Sequence, residues 1–303
     1  MQVAEKIELL QSDYKDPISE TPTTYPAYFK LIQLGFRTLG SLAPKQAARV
    51  AYQLFSTPRS RARHRRSDEV LESARIFEFL YGEHLLKGYE WGSGTQTVLL
   101  VHGWESRGTA LRSFVPQLVE SGYRVVAFDG PAHGDSEGQQ TNLAHFGGAV
   151  RAIIRQLGNV HGIITHSFGG ASTVYALGAI DSSIAIEKLV LIAVPSSMTK
   201  VWEDTAQLFR LPAKAKSEMK SLLEKKVQQP LENVSVSDAE SAVQINETLI
   251  VHDKTDHVVP FAEAEKIVNG WESARLLASN GYGHFRLMKN PDIIQRVVDF
   301  VAD

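Results

Sequence analysis

Cysteine is absent from this 303-residue chain. Its absence removes disulfide staples, cysteine nucleophiles and thiolate metal sites together. An excess of one charge is missing as well. Thirty-two Lys and Arg face 34 Asp and Glu, a formal net charge of −2, so no global field draws the chain to nucleic acid or anionic lipid. No run of 18 apolar residues occurs, which leaves no segment able to span a bilayer as a helix. Residues 1–16 mix Glu, Lys and Asp with short apolar runs and hold no secretory leader, so the default location is cytoplasmic. Repeats and low-complexity tracts are missing too. What is present is 43% apolar and 22% charged residues, the composition of a globule with a sizeable core.

The chain is organised around Gly162-Ile163-Ile164-Thr165-His166-Ser167-Phe168-Gly169-Gly170. An apolar run stops at a serine, two glycines follow, and an Ala-rich helical segment begins. That order is strand, sharp turn, helix, with Ser167 at the apex of a nucleophile elbow. The helix behind it aims its first N–H groups at negative charge developing near the hydroxyl. The pattern usually begins with Gly where this chain has Thr165. Taken alone, the stretch equally describes a helix N-cap, so its surroundings decide.

Residues 1–84 read as a helical extension. Within it lie a loop at Thr21–Pro26, a helix over 27–42 with Phe29, Ile32, Phe36 and Leu39 as its apolar stripe, and a second helix opened by Pro44. A basic run from Arg59 to Arg66 reads as a solvated segment pairing with Asp68, Glu69 and Glu72, with a nucleic-acid or membrane-surface patch as the alternative, and a helix is expected over 68–80. From residue 85 the pattern changes. Buried-type strands at 97–101, 123–128 and 188–194, the strand from Gly162 into Ser167, and strands at 248–252 and 274–278 alternate with helices. Such alternation predicts a mostly parallel, doubly wound sheet with helices on both faces. About fifty residues separate Pro195 from Glu247, where a crossover needs roughly half as many. Residues 196–234 therefore read as a helical cap over the strand ends, carrying Trp202 and Phe209.

A serine needs a base, normally a histidine oriented by a carboxylate, and on this kind of sheet the partners follow in the order Ser, acid, His. The chain offers Ser167, then Asp256 or Asp253, then His284, each at the carboxyl end of a strand, where open α/β sheets bind ligands. His102 reads as a brace in the loop after its strand or as part of the pocket. His166 either lines the pocket or packs under the elbow, and His133 and Asp135 stabilise the turn after their strand. His252, Asp253, Asp256 and His257 fit no established metal-ligand spacing, so no metal site is expected.

Leu100-Val101-His102-Gly103-Trp104, Asp129-Gly130-Pro131-Ala132-His133-Gly134-Asp135-Ser136, His166-Ser167-Phe168-Gly169-Gly170, Asp256-His257-Val258-Val259-Pro260 and Gly283-His284-Phe285 occur in this order. Together they resemble the α/β-hydrolase superfamily, specifically its bacterial esterase-like serine hydrolases, over residues 85–303. The resemblance implies an α/β-hydrolase fold with a helical cap, preceded by the extension. It implies Ser167 as nucleophile, His284 as base, Asp256 as orienting acid, and the backbone N–H groups of Trp104 and Phe168 as oxyanion donors. His102, His166, Trp202 and Phe209 are expected to line the pocket. The departures are Thr165 and Asp253, the latter where the family often has Gly.

The expected function is cofactor-free cleavage of an ester or related acyl bond in a small molecule, of carboxylesterase type. Thioesterase, acyltransferase and C–C hydrolase chemistry use the same triad. A catalytically silent binding protein on this fold is the reading from another class.

Overall fold

The computed structural model describes residues 6–10, 27–62, 68–181 and 184–303. The loop expected at Thr21–Pro26 and the arginines at 63, 65 and 66 lie outside them. Two compact units emerge. Unit 1 comprises residues 1–17, 58–196 and 236–303, and unit 2 residues 18–57 and 197–235.

Unit 1 is built on nine strands: β1 (Ile7–Leu9), β2 (Arg75–Tyr81), β3 (His84–Trp91), β4 (Thr97–Val101), β5 (Arg124–Phe128), β6 (Val160–His166), β7 (Ile186–Ile192), β8 (Ile245–Asp253) and β9 (Ala274–Ser279). They form one sheet in the order β1-β9-β8-β7-β6-β4-β5-β3-β2. Every pairing is parallel except β2 with β3 and β3 with β5. All five side chains of β4 are buried, as expected of a strand covered on both faces. Val98, Leu100, Val125 and Ala127 look to one side and join Leu118, Val297 and Val301 in the main core. Phe128 looks to the other, where its ring meets that of Phe146 at 6.0 Å. The order of strands reverses at β4, which has β5 on one flank and β6 on the other. At such a switch point the loops leave in opposite directions and open a crevice.

In chain order the helices are α1 (Ala27–Leu42), α2 (Pro44–Ser56), α3 (Glu69–Glu72), α4 (Val115–Glu120), α5 (Leu143–Leu157), α6 (Phe168–Leu177), α7 (Met198–Leu208), α8 (Ala213–Val227), α9 (Phe261–Gly270), α10 (Gly283–Arg286) and α11 (Pro291–Ala302). Their ends follow from local chemistry. Asn142 accepts from the His145 N–H at 3.0 Å to start α5. Asn290 does the same for Ile293 at 2.9 Å before Pro291 opens α11.

Unit 2 joins α1, α2, α7 and α8. The small residues Ala47, Ala48 and Ala51 of α2 are fully buried, and α2 packs on α8. The Phe209 ring lies 6.1 Å from Phe29 and 5.4 Å from Phe36. The insertion after β7 is thus helical, as its length and pattern imply.

The N-terminal stretch requires a correction. Residues 1–84 do not form one helical extension: α1 and α2 share a unit with the insertion, while residues 58–84 belong with the sheet. The helix expected over 68–80 is only α3; Arg75–Tyr81 is strand β2. Phe77, Phe79 and Tyr81 alternate with the more exposed Ile76, Glu78 and Leu80, a period of two that sends one set to the sheet face. Gly82 at φ +60 then closes a two-residue hairpin between Tyr81 and His84.

Candidate active site

Ser167 ends β6 and caps α6 with φ 52 and ψ −125. A non-glycine residue takes this conformation only where the surrounding structure compels it. The compulsion is visible on both sides. The Ser167 N–H donates to the Ile192 carbonyl at 2.8 Å. Behind the turn, a Cβ on Gly169 would stand 2.3 Å from the His102 carbonyl oxygen, so α6 can press against the end of β4 only with glycine there. Thr165, the departure from the usual elbow, is accommodated by its own hydrogen bond: the buried hydroxyl donates to the Val190 carbonyl at 2.9 Å.

The loop after β4 comes up beside the serine. A Cβ on Gly103 would lie 3.2 Å from the Ser167 Cβ. Two buried histidines clamp this loop. The His102 Nε2 accepts from the Gly130 N–H at 2.9 Å, which leaves the proton on Nδ1 to donate to the Gly103 carbonyl at 2.7 Å. Two residues on, the His133 Nε2 accepts from the Glu105 N–H at 3.0 Å, and its Nδ1–H donates to the Pro131 carbonyl at 3.0 Å. In a trans peptide the carbonyl and the following N–H point opposite ways. Fixing the Gly103 carbonyl therefore fixes the Trp104 N–H, on the side away from His102. The Trp104 and Phe168 rings meet edge to face at 5.2 Å.

His284 sits on α10, just after β9. Its Nδ1–H donates to the Asp256 Oδ2 at 2.7 Å, leaving Nε2 bare as an acceptor. The other oxygen of Asp256, Oδ1, accepts from the Val258 and Val259 N–H groups, each at 2.8 Å. Burial pushes the Asp256 carboxyl up, but the hydrogen bond and charge of His284 and the Val259 N–H outweigh it. The net effect holds the carboxyl below the usual range. His284 is brought to the serine's side of the site through His166, whose Nε2–H donates to the His284 carbonyl at 2.9 Å. The two rings are 4.7 Å apart.

Asp253, the competing carboxylate, bonds elsewhere. Oδ1 accepts from the Thr255 N–H (2.9 Å), the Thr255 hydroxyl (2.6 Å) and the Gly281 N–H (3.2 Å). Oδ2 accepts from the Ser279 hydroxyl (2.7 Å) and the Tyr282 N–H (3.0 Å). It ties the loop carrying Asp256 to the loop carrying His284. Burial opposes its charge, yet the Thr255 and Ser279 hydroxyls and the backbone N–H groups of Tyr282 and Gly283 hold its pKa down.

The remaining expected pocket residues are engaged otherwise. His102 has both ring nitrogens committed to backbone and is fully buried, so it braces the loop. His166 packs beneath the elbow, and burial with the nearby His284 lowers its pKa to about 3. Phe209 is spent on Phe29 and Phe36, and Trp202 is buried with Lys216 Nζ 4.7 Å from its ring centre. Both are packing residues of unit 2. Sequence reading missed the clamp of His133 on Glu105 and the Asp253 knot. The signals were an Asp in a usual Gly position and a histidine five residues from a strand end.

A doubly wound sheet with a serine elbow at its switch point and an Asp–His pair on later loops defines an α/β-hydrolase architecture. The chain belongs to the Alpha/beta hydrolase family, whose sequence profile matches residues 98–293. It is 29% identical over 116 residues to a non-heme haloperoxidase of Rhodococcus erythropolis, a match covering 37% of this chain and 41% of that one. The chain therefore spans about two fifths of the length of this curated relative. Similar solved structures include an esterase of Pyrococcus furiosus (18% identity, 81% of this chain and 96% of that one, TM-score 0.59). A thioesterase domain from the curacin biosynthetic pathway is also similar (15% identity, 76% and 99%, TM-score 0.56). At such identities the likeness is one of fold.

Proposed function

We propose that this protein is a serine hydrolase of carboxylesterase type, acting through an acyl-enzyme. The observation that carries the reading is the 2.7 Å bond from His284 Nδ1 to Asp256, which fixes the tautomer a base needs, on a fold whose strained turn presents Ser167. His284 Nε2 takes the Ser167 proton as Oγ attacks the acyl carbon. Negative charge gathers on the former carbonyl oxygen, where the Trp104 and Phe168 N–H groups receive it; removing one such donor typically costs about 10² to 10³ in rate. The protonated imidazole is stabilised by Asp256 and returns its proton to the leaving alcohol. Water then repeats the cycle on the acyl-enzyme.

The likeness to a thioesterase domain supports including acyl thioesters among the substrates to be tried. A fluorophosphonate should label wild type at Ser167, and Ser167→Ala should lose both labelling and ester turnover while its melting temperature is kept. Labelling that persists in a folded Ser167→Ala protein would overturn the assignment. Turnover of a thioester panel but of no oxygen ester would leave the triad standing and change the substrate class.

A further inference from the structure

The net charge of −2 conceals a division within the chain. Unit 2 carries eleven Lys and Arg against six Asp and Glu, a net of +5, which leaves unit 1 at −7. Within unit 2, residues 21–57 contain four Lys and Arg and no acidic residue. On α1 and α2 the basic side chains are Lys30, Arg37, Lys45 and Arg49, all exposed.

Helix α1 is apolar on two sides. Phe29 and Phe36 face inward, against Phe209. On the opposite side Leu31 is 70%, Leu34 56% and Leu42 86% exposed. At 3.6 residues per turn these three fall within an arc of about 80° opposite the phenylalanines, and Lys30 and Arg37 fall on its shoulder. Val50 and Leu54, four residues apart on α2, are exposed as well. Six of the twelve exposed large apolar side chains among the described residues lie on these two helices, and Leu31, Leu34 and Leu42 share one side of α1. A helix apolar all round is normally buried on every side, and exposed apolar patches mark interaction surfaces.

The charge pattern selects the occupant. A second copy docking through the same face would bring these cations against their own copies, with no carboxylate in the segment to offset them. Nucleic acid would engage the cations but leave the leucines in water. An anionic bilayer satisfies both: leucines enter the boundary between headgroups and acyl chains, and cations meet lipid phosphates. We propose that the outer face of α1, with Lys30 and Arg37 on its shoulder, docks this protein on anionic membranes.

The test is co-sedimentation of the full-length protein with vesicles, either pure phosphatidylcholine or equal parts phosphatidylcholine and phosphatidylglycerol. Two double variants accompany it: Leu31→Gln with Leu42→Gln, and Lys30→Gln with Arg37→Gln. Wild type should bind the anionic vesicles at least about tenfold more tightly than the neutral ones, and weaken as salt rises. Each double variant should lose about tenfold, with turnover of a soluble ester unchanged. Should the leucine pair lower the melting temperature, the Lys30/Arg37 pair, which lies off the packed face, carries the decision. No preference for anionic vesicles, or unaltered binding by the charge variant, overturns the proposal. A dimer in light scattering that the leucine variant dissociates would assign the face to self-association instead. Salt-sensitive retention on duplex DNA that ignores the leucine variant would assign it to nucleic acid. Failure of phosphonate labelling at Ser167 bears on the hydrolase reading alone.

Discussion

Asp253 and Asp256 stand three residues apart, both buried, and divide two tasks between them. Asp256 touches His284, the proposed base. Asp253 holds together the two loops that carry acid and base, accepting five hydrogen bonds from Thr255, Ser279, Gly281 and Tyr282. Their substitutions should therefore separate by readout. Asp256→Asn leaves an amide that can neither hold the His284 tautomer nor stabilise imidazolium, and turnover should fall about 10³- to 10⁴-fold with a modest change in melting temperature. Asp253→Asn turns an acceptor of N–H and O–H groups into a partial donor. It should cost about 3 kcal/mol of stability and lower turnover per folded molecule far less than Asp256→Asn. Kinetics and melting curves of the two proteins decide; a larger kinetic loss in Asp253→Asn would reverse the roles. The sequence offered both carboxylates with the right spacing. It had no means of showing that Asp256 bonds the His284 ring while Asp253 bonds hydroxyls and backbone N–H groups of its own turn and of a loop nearly thirty residues away.

At the scale of elements, the legible parts were those whose burial is decided by one strand or one helix. β4 lies where its continuous apolar run puts it, because a parallel strand covered on both faces writes its position into every residue. β2 was illegible as a strand because Val70, Leu71 and Ala74 extend a helical pattern up to it, and α3 does begin there. The competing signal was Phe77, Phe79 and Tyr81 ahead of Gly82, a hairpin in period two. β1 is three residues long and partly exposed, too short for any periodicity. The contact of α6 with the end of β4 yields a sharper expectation. A methyl on Gly169 would meet the carbonyl oxygens of His102 at 2.3 Å and Val101 at 2.8 Å, and backbone cannot swing aside as a side chain does. Gly169→Ala should cost about 1 to 3 kcal/mol as overpacking. It should also slow phosphonate labelling of Ser167 by more than tenfold, since it separates the Phe168 and Trp104 donors. Labelling at the wild-type rate in the folded variant would show that the elbow tolerates the displacement.

The whole molecule stakes its stability on buried neutral histidines, and this sets its response to acid. Burial, with His102 for His133 and His284 for His166, lowers both pKa values to about 3; burial lowers that of His252 as well. An unfolded histidine takes up a proton near pH 6.5. Above that value neither state is protonated and the full stability is present. As pH falls from about 6.5 toward 3, the unfolded chain gains protons that the folded chain refuses, so stability falls by roughly 1.4 kcal/mol per pH unit for each such histidine. The carboxyls of Asp253 and Asp256, held below their ordinary values, add a loss of the same sign, but only below about pH 3.9. Acid unfolding should thus begin near pH 6, well above the carboxylate range. Urea midpoints converted to free energies at pH 7.5, 6.5, 5.5 and 4.5 measure it. Wild type should show a slope of at least two protons across the lower interval, and His133→Gln should start less stable, having lost the fit of its clamp, with a slope shallower by about one proton. A flat profile between pH 6.5 and 4.5 would mean that these rings are protonated within the fold. The Glu105 N–H would then face a donor, and the clamp on the Trp104 loop could not hold as drawn.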